Sequence, residues 1–173
     1  LADYISSAAC GLPYYIGQVI QDKETLLENT PKSFTELTGA EVITGIKATK
    51  LDREAKVVYA TNVKTGEDLT YGYDKLVIAT GARPVKPNLP GIDLENIFTL
   101  RDPDDADAIK AAVAAGGIKR AVIVGGGAIG LEMAENLTKL GVRSSIIDMV
   151  PHIHPGYDGD FAAFAENELA DHG

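Results

Sequence analysis

A chain of 173 residues suffices for one ordinary domain or two small ones, and 45% hydrophobic against 24% charged residues excludes the disordered and membrane-embedded classes. A formal net charge of -9 argues against nucleic acid or anionic lipid as a partner, and no apolar run approaches the roughly 20 residues that span a bilayer. The single cysteine cannot form an internal disulfide, so the expected location is a reducing cytoplasm.

The chain opens at Leu1, with no methionine and no strong strand ahead of Cys10, and so reads as a piece of something longer. Residues 1–20 make a small-residue approach to Cys10, followed by an apolar, aromatic segment around Pro13, Tyr14 and Tyr15. Proline is tolerated in a first helical turn, which puts Cys10 at or just before a helix N-terminus, where the dipole favours a thiolate. A free cysteine is equally often a small buried hydrophobe, and position alone does not separate the two.

Further on, Thr30-Pro31-Lys32-Ser33-Phe34 looks like a helix start, with Thr30 or Ser33 as cap. Residues 41–49, 56–63 and 69–73 read as three short strands, the last two joined by a turn at Thr65-Gly66. They predict an antiparallel meander inserted in a larger α/β domain. Residues 76–79 (Leu-Val-Ile-Ala) form a continuous apolar run of the kind buried on both faces of a parallel sheet. Thr80 and Gly81 leave its carboxyl end, where open α/β sheets place ligands. Pro84, Pro87, Pro90 and Gly91 then make a stiff connector and the domain boundary.

Asp102-Pro103 opens a helix that runs through Ile109 and Val113 to Gly116-Gly117. The most informative stretch follows. An apolar, β-branched run (Ala121 to Val124) passes into Gly125-Gly126-Gly127-Ala128-Ile129-Gly130, which is G-x-G-x-x-G between a strand and a helix. Ile129, Leu131, Met133, Ala134, Leu137 and Leu140 recur at helical spacing, Gly141 stops the helix, and residues 142–147 read as a second buried strand ending on Asp148. In such a βαβ unit the first glycine makes the tight turn, the second lets a pyrophosphate approach the backbone, and the third lets the helix lie close to the sheet. The phosphates sit on the helix N-terminus. Asp148 stands where a carboxylate accepts hydrogen bonds from a ribose 2′-OH and repels a 2′-phosphate, so NADH is favoured over NADPH. By the motif alone the loop could hold FAD instead of NAD.

After Asp148 comes a loop, and residues 161–169 form an amphipathic helix. His152 and His154, beside prolines and without a spaced cysteine or carboxylate set, read as surface residues, and no metal is expected.

Three separated features coincide: the lone cysteine in AACGLPYYIG, the strand end ATGARP, and GGGAIGLEMAENL leading to an acid. Together they resemble the FAD-dependent pyridine nucleotide-disulfide oxidoreductase family. The likeness is strongest to its single-cysteine branch of CoA-disulfide reductases, NADH oxidases and NADH-dependent persulfide reductases. The resemblance implies an α/β fold in which residues 1–100 are part of an FAD-binding domain carrying the meander. Residues 101–173 are then the N-terminal part of a Rossmann-type NAD-binding domain.

It further implies that Cys10 is the redox cysteine facing the flavin, that Thr80 and Gly81 lie near FAD, and that residues 125–130 hold NADH. Glu132 is placed to reach the nicotinamide, although an ordinary exposed helical glutamate reads the same way. Ala128 is a departure, because relatives often carry an aromatic there. The family's first G-x-G-x-x-G is expected upstream of Leu1, so little FAD is expected on this chain by itself. Further NAD-domain strands and a homodimerisation domain are expected beyond Gly173. The activity implied is electron transfer from NADH through FAD and Cys10 to a small disulfide or persulfide. Alternatives are reduction of oxygen, as in an NADH oxidase, and a non-catalytic NAD-binding fragment.

Overall fold

A computed structural model describes residues 4–173. Packing divides the chain into two compact units: residues 27–83 with the segment ending at Ser7, and residues 8–26 with 84–173.

In the first unit Thr30 caps helix α2 (Pro31–Thr38), which follows the shorter helix α1 (Leu12–Ile16) in the chain. The Thr30 hydroxyl accepts the Ser33 N–H at 3.1 Å, and the Thr30 N–H donates to Ser33 Oγ at 3.0 Å, a reciprocal cap. The meander follows as β1 (Ile46–Asp52), β2 (Val57–Asn62) and β3 (Asp68–Gly72), antiparallel in the order β1-β2-β3. Asn62 organises the β2–β3 turn by accepting the N–H groups of Lys64 and Thr65 on its side-chain oxygen at 2.9 and 3.2 Å.

One expectation fails in this unit. Residues 76–79 are not a buried strand: neither sheet includes them, and Val77 and Ile78 are 85% and 72% exposed. An apolar run becomes a central strand only when neighbouring strands take up its N–H and C=O groups on both sides. The described strands pair among themselves and leave this run without such neighbours.

The second unit is built on α3 (Pro103–Ala114), β4 (Arg120–Val124), α4 (Ala128–Lys139), β5 (Arg143–Ile147) and α5 (Gly159–Asp171). Asp102 caps α3, its carboxylate accepting the N–H groups of Asp104 and Asp105 at 3.1 and 3.0 Å. Strands β4 and β5 pair in parallel, Arg120 opposite Arg143 through to Val124 opposite Ile147, so the βαβ unit is present. Only one face of this sheet is covered: Ala121 and Ile123 pack against the core, whereas Val122 and Val124 are 65% and 75% exposed.

The core itself was not legible as one body. Leu12, Tyr15 and Ile16 of α1 lie on one helical face and pack with Leu26, with Ala106 and Ile109 of α3, and with Met133 and Leu137 of α4. Packing thus joins residues 8–26 to 84–173 and runs along a different line from the sequence division at residue 100. Polar groups reinforce the join. The Tyr15 hydroxyl donates to Asp107 Oδ1 at 2.9 Å, Lys23 Nζ reaches Asp107 Oδ2 at 2.5 Å, and Lys110 Nζ stands 3.6 Å from the Tyr15 ring centre.

Asp107 is held below the ordinary carboxylate range, first by the Lys23 hydrogen bond, and burial with Asp107 as neighbour raises Tyr15. A depressed carboxylate contributes stability above its unfolded value of about 3.9, and that contribution is lost as pH falls through the lower folded value. Allowing for solvent screening at this half-exposed site, Asp107→Ala should cost about 1 kcal/mol at pH 7. Urea unfolding of both proteins checks this, with the difference expected to shrink as the pH drops below the folded value.

Candidate functional site

The turn from β4 into α4 is fixed by contacts that leave no room for side chains. Gly125 takes φ +111°, and its N–H donates to Ile147 O at 2.8 Å as the last rung of the parallel ladder. Directly above it, a Cβ built on Gly130 would stand 2.0 Å from Gly125 O and 3.3 Å from Ile123 Cγ2. The first turn of α4 is therefore pressed onto the strand end, which only glycine permits.

Gly127 is the N-cap of α4, and the first helical bond runs from the Leu131 N–H to Gly127 O at 3.0 Å. The N–H groups of Ala128, Ile129 and Gly130 precede that bond and have no helical acceptor. A Cβ on Gly127 would meet nothing within 4 Å, so the approach to these donors is open. Ala128 and Ile129 are exposed.

Gly126 has a role the sequence pattern did not reveal. It is buried, and a Cβ there would lie 3.0 Å from Ile153 Cγ2 and 3.3 Å from Ile153 Cα. Its N–H donates to Asp148 Oδ2 at 2.7 Å, and its C=O accepts the His154 N–H at 2.8 Å.

Asp148 is exposed and tied to backbone: besides Gly126, its Oδ1 accepts Met149 N–H at 2.6 Å and Val150 N–H at 3.3 Å. These bonds hold its carboxyl below the usual range, the Gly126 bond most strongly. A carboxylate offers about four lone-pair sites, so three backbone donors leave it room for one more. Glu132 is half-buried one turn along α4, its carbonyl accepting the Asn136 side-chain N–H at 2.8 Å.

Cys10 is exposed, which removes its reading as a small buried hydrophobe. It sits in the 3-10 turn Ala9–Gly11 directly before α1. The turn is anchored by Ala8 N–H to Leu26 O and Gly11 N–H to Ala8 O, both 2.8 Å. Helix α1 in turn rests on α4, where a Cβ on Gly17 would stand 2.0 Å from Asn136 Oδ1. Cys10 and residues 125–130 thus belong to one compact unit, whereas Thr80 and Gly81 belong to the other and are exposed. Among the described residues, no three of His, Cys, Asp and Glu cluster so as to hold a metal ion, and no helix is long and apolar enough to cross a membrane.

A model of the pyridine nucleotide-disulphide oxidoreductase family matches residues 3–173. The chain belongs to that family. It is 37% identical over 174 residues to an NADH oxidase of Enterococcus faecalis, covering 99% of this chain and 38% of the relative. It is 34% identical over 156 residues to a coenzyme A disulfide reductase of Staphylococcus aureus, covering 90% of this chain and 35% of that one. Among solved structures, a NAD-dependent persulfide reductase from A. fulgidus superposes with a TM-score of 0.92 at 37% identity, over 99% of this chain and 32% of its own. The chain therefore spans between 32% and 38% of the length of these relatives.

The residues of this family member fit a dinucleotide pyrophosphate: the orphan N–H groups converge at the N-terminus of α4, and the space over Gly127 is open. Among the described residues, no second G-x-G-x-x-G loop stands before a helix. Two contributors escaped the sequence pattern, Asn136 and Ile153. Asn136 is a buried polar residue inside an apolar helical face, and that oddity was a usable signal.

Gly130→Ala should destabilise the fold by about 2–3 kcal/mol, because backbone cannot yield to the added methyl. Gly127→Ala, with open space and ordinary φ, should cost no more than about 1 kcal/mol, the preference for Gly over Ala at an N-cap. Thermal unfolding of the two variants side by side checks the contrast.

Proposed function

We propose that this chain is the nucleotide- and thiol-bearing part of an oxidoreductase that passes electrons from NADH, by way of FAD, to a small sulfur acceptor through Cys10. The observation that carries the reading is the union, in one compact unit, of an exposed cysteine at the start of α1 and a glycine loop whose N–H groups open at the start of α4. The names of the relatives support the acceptor class. In this reading residues 1–100 supply part of the FAD domain and residues 101–173 the opening part of the NAD domain, with residues 8–26 seated in the core of the latter. A cytoplasmic homodimer is part of the same proposal.

The chain's own residues divide the work. The N–H groups of Gly127 to Gly130 bind the pyrophosphate, Asp148 accepts from the adenine ribose with its remaining lone pair, and Glu132 faces the nicotinamide side of α4. The Cys10 thiolate attacks one sulfur of a disulfide, forming a mixed disulfide and releasing one thiolate. Bound NADH and FAD supply the two electrons and the proton that return Cys10 to the thiolate and free the second thiol. A second reading, reduction of oxygen with the same cysteine, is favoured by the 37% identity to an NADH oxidase.

The test joins this chain to the remaining segments of its family. Cys10→Ser should leave NADH-dependent bleaching of the flavin intact and abolish anaerobic reoxidation by CoA disulfide. Reoxidation at the unmodified rate would show that Cys10 takes no part in the sulfur chemistry. Oxygen consumption that far outruns disulfide reduction in the unmodified protein selects the oxidase reading instead.

Asp148→Ala should weaken NADH binding and narrow the preference over NADPH, as read by parallel titrations with the two dinucleotides. If the unmodified chain binds NADPH as tightly as NADH, Asp148 has no part in ribose selection.

A further inference from the structure

Residues 151–160 read as a loop in the sequence, yet Ile153 and His154 within it are tied to α5 on one side and to the glycine loop on the other. Glu166 of α5 makes the first tie. Its Oε1 accepts the Ile153 N–H at 3.1 Å and stands 3.3 Å from His152 Nδ1. Ile153 so held lies beside Gly126, where an added Cβ would stand 3.0 Å from its Cγ2, and the next residue, His154, donates its N–H to Gly126 O. His154 takes φ +54°, a left-handed conformation, and its ring lies 4.5 Å from that of Tyr157. Such a conformation persists in a non-glycine residue when its surroundings over-determine it.

We propose that Glu166 is a positioning residue of the dinucleotide site, acting through Ile153 and His154; the inference rests on the reading of residues 125–130 as a dinucleotide loop. A peptide unit is planar and trans, so the direction of the Gly126 C=O fixes the opposite direction of the Gly127 N–H. Gly127 N–H is one of the donors at the start of α4 that lack a helical acceptor. Three consecutive glycines would otherwise leave this peptide free to rotate. Glu166 fixes Ile153, His154 N–H fixes the Gly126 carbonyl, and the Gly127 N–H is aimed before the ligand arrives. Asp148 completes the clamp by holding the N–H on the other side of Gly126. A site ordered in advance binds more tightly because less freedom is lost on binding.

The test uses the 173-residue chain with NADH titration, NMR-monitored amide exchange and thermal unfolding. Glu166→Ala should weaken NADH binding about tenfold, the equivalent of one charge-assisted hydrogen bond, and speed exchange of the His154 amide while leaving the unfolding midpoint nearly unchanged. Glu166→Gln keeps an oxygen for the Ile153 N–H and should recover most of the affinity. Unchanged NADH affinity and unchanged His154 exchange in the Ala variant overturn the proposal and leave the dinucleotide reading standing. A Gln variant as weak as Ala, or a fall in unfolding midpoint in step with affinity, also overturns it. Failure of the unmodified chain to take up NADH at all removes the dinucleotide reading and this inference with it.

Discussion

The contact between Gly130 and the Gly125 carbonyl is the constraint on which the second unit depends. Because no Cβ intervenes, the first turn of α4 sits directly on the end of β4, and the helix then runs back across the inner face of the sheet. That placement sends Met133 and Leu137 into the core and leaves the first N–H groups of the helix pointing away from the strand end. A larger residue at position 130 would lift the helix, and both consequences would be lost together.

The same core receives α1. Leu12 and Ile16 stand one turn apart and bury completely between α3 and α4, while Tyr15 exchanges a hydrogen bond with Asp107. Position of the exposed Cys10 is thereby set by packing several residues downstream of it, and by the anchoring of its turn to Leu26. A cysteine carried on so short a helix owes its place to tertiary contacts, since five helical residues are far too few to hold a helix in water alone. Sulfur chemistry and nucleotide binding are thus proposed for one packed body.

Burial separates from hydrophobicity in two places. Val77 and Ile78 are exposed although their sequence reads as a central strand, and Val122 and Val124 are exposed although β4 forms as expected. In both cases the residue types fit burial on two faces, and in both the described chain offers cover on fewer. Side-chain type states what a position tolerates, whereas burial needs a partner in space.

Much of the site was legible in the sequence because its logic is local. G-x-G-x-x-G between a strand and a helix, the Asp102-Pro103 and Thr30-Pro31 helix starts, and the Thr65-Gly66 turn are each decided by backbone geometry within a few residues, and each formed as read. Family membership was legible for the same reason, since its motifs are short and well separated. What only the tertiary structure decided involves residues far apart in the chain. The seating of residues 8–26 against α3 and α4, the burial of Asn136 beside Gly17, and the tie of Glu166 to the loop over Gly126 leave no periodic trace, because each partner's sequence neighbourhood is complete without the other. Local patterns specify conformations; which faces meet is fixed only when the apolar surfaces of α1, α3 and α4 compete for the same core.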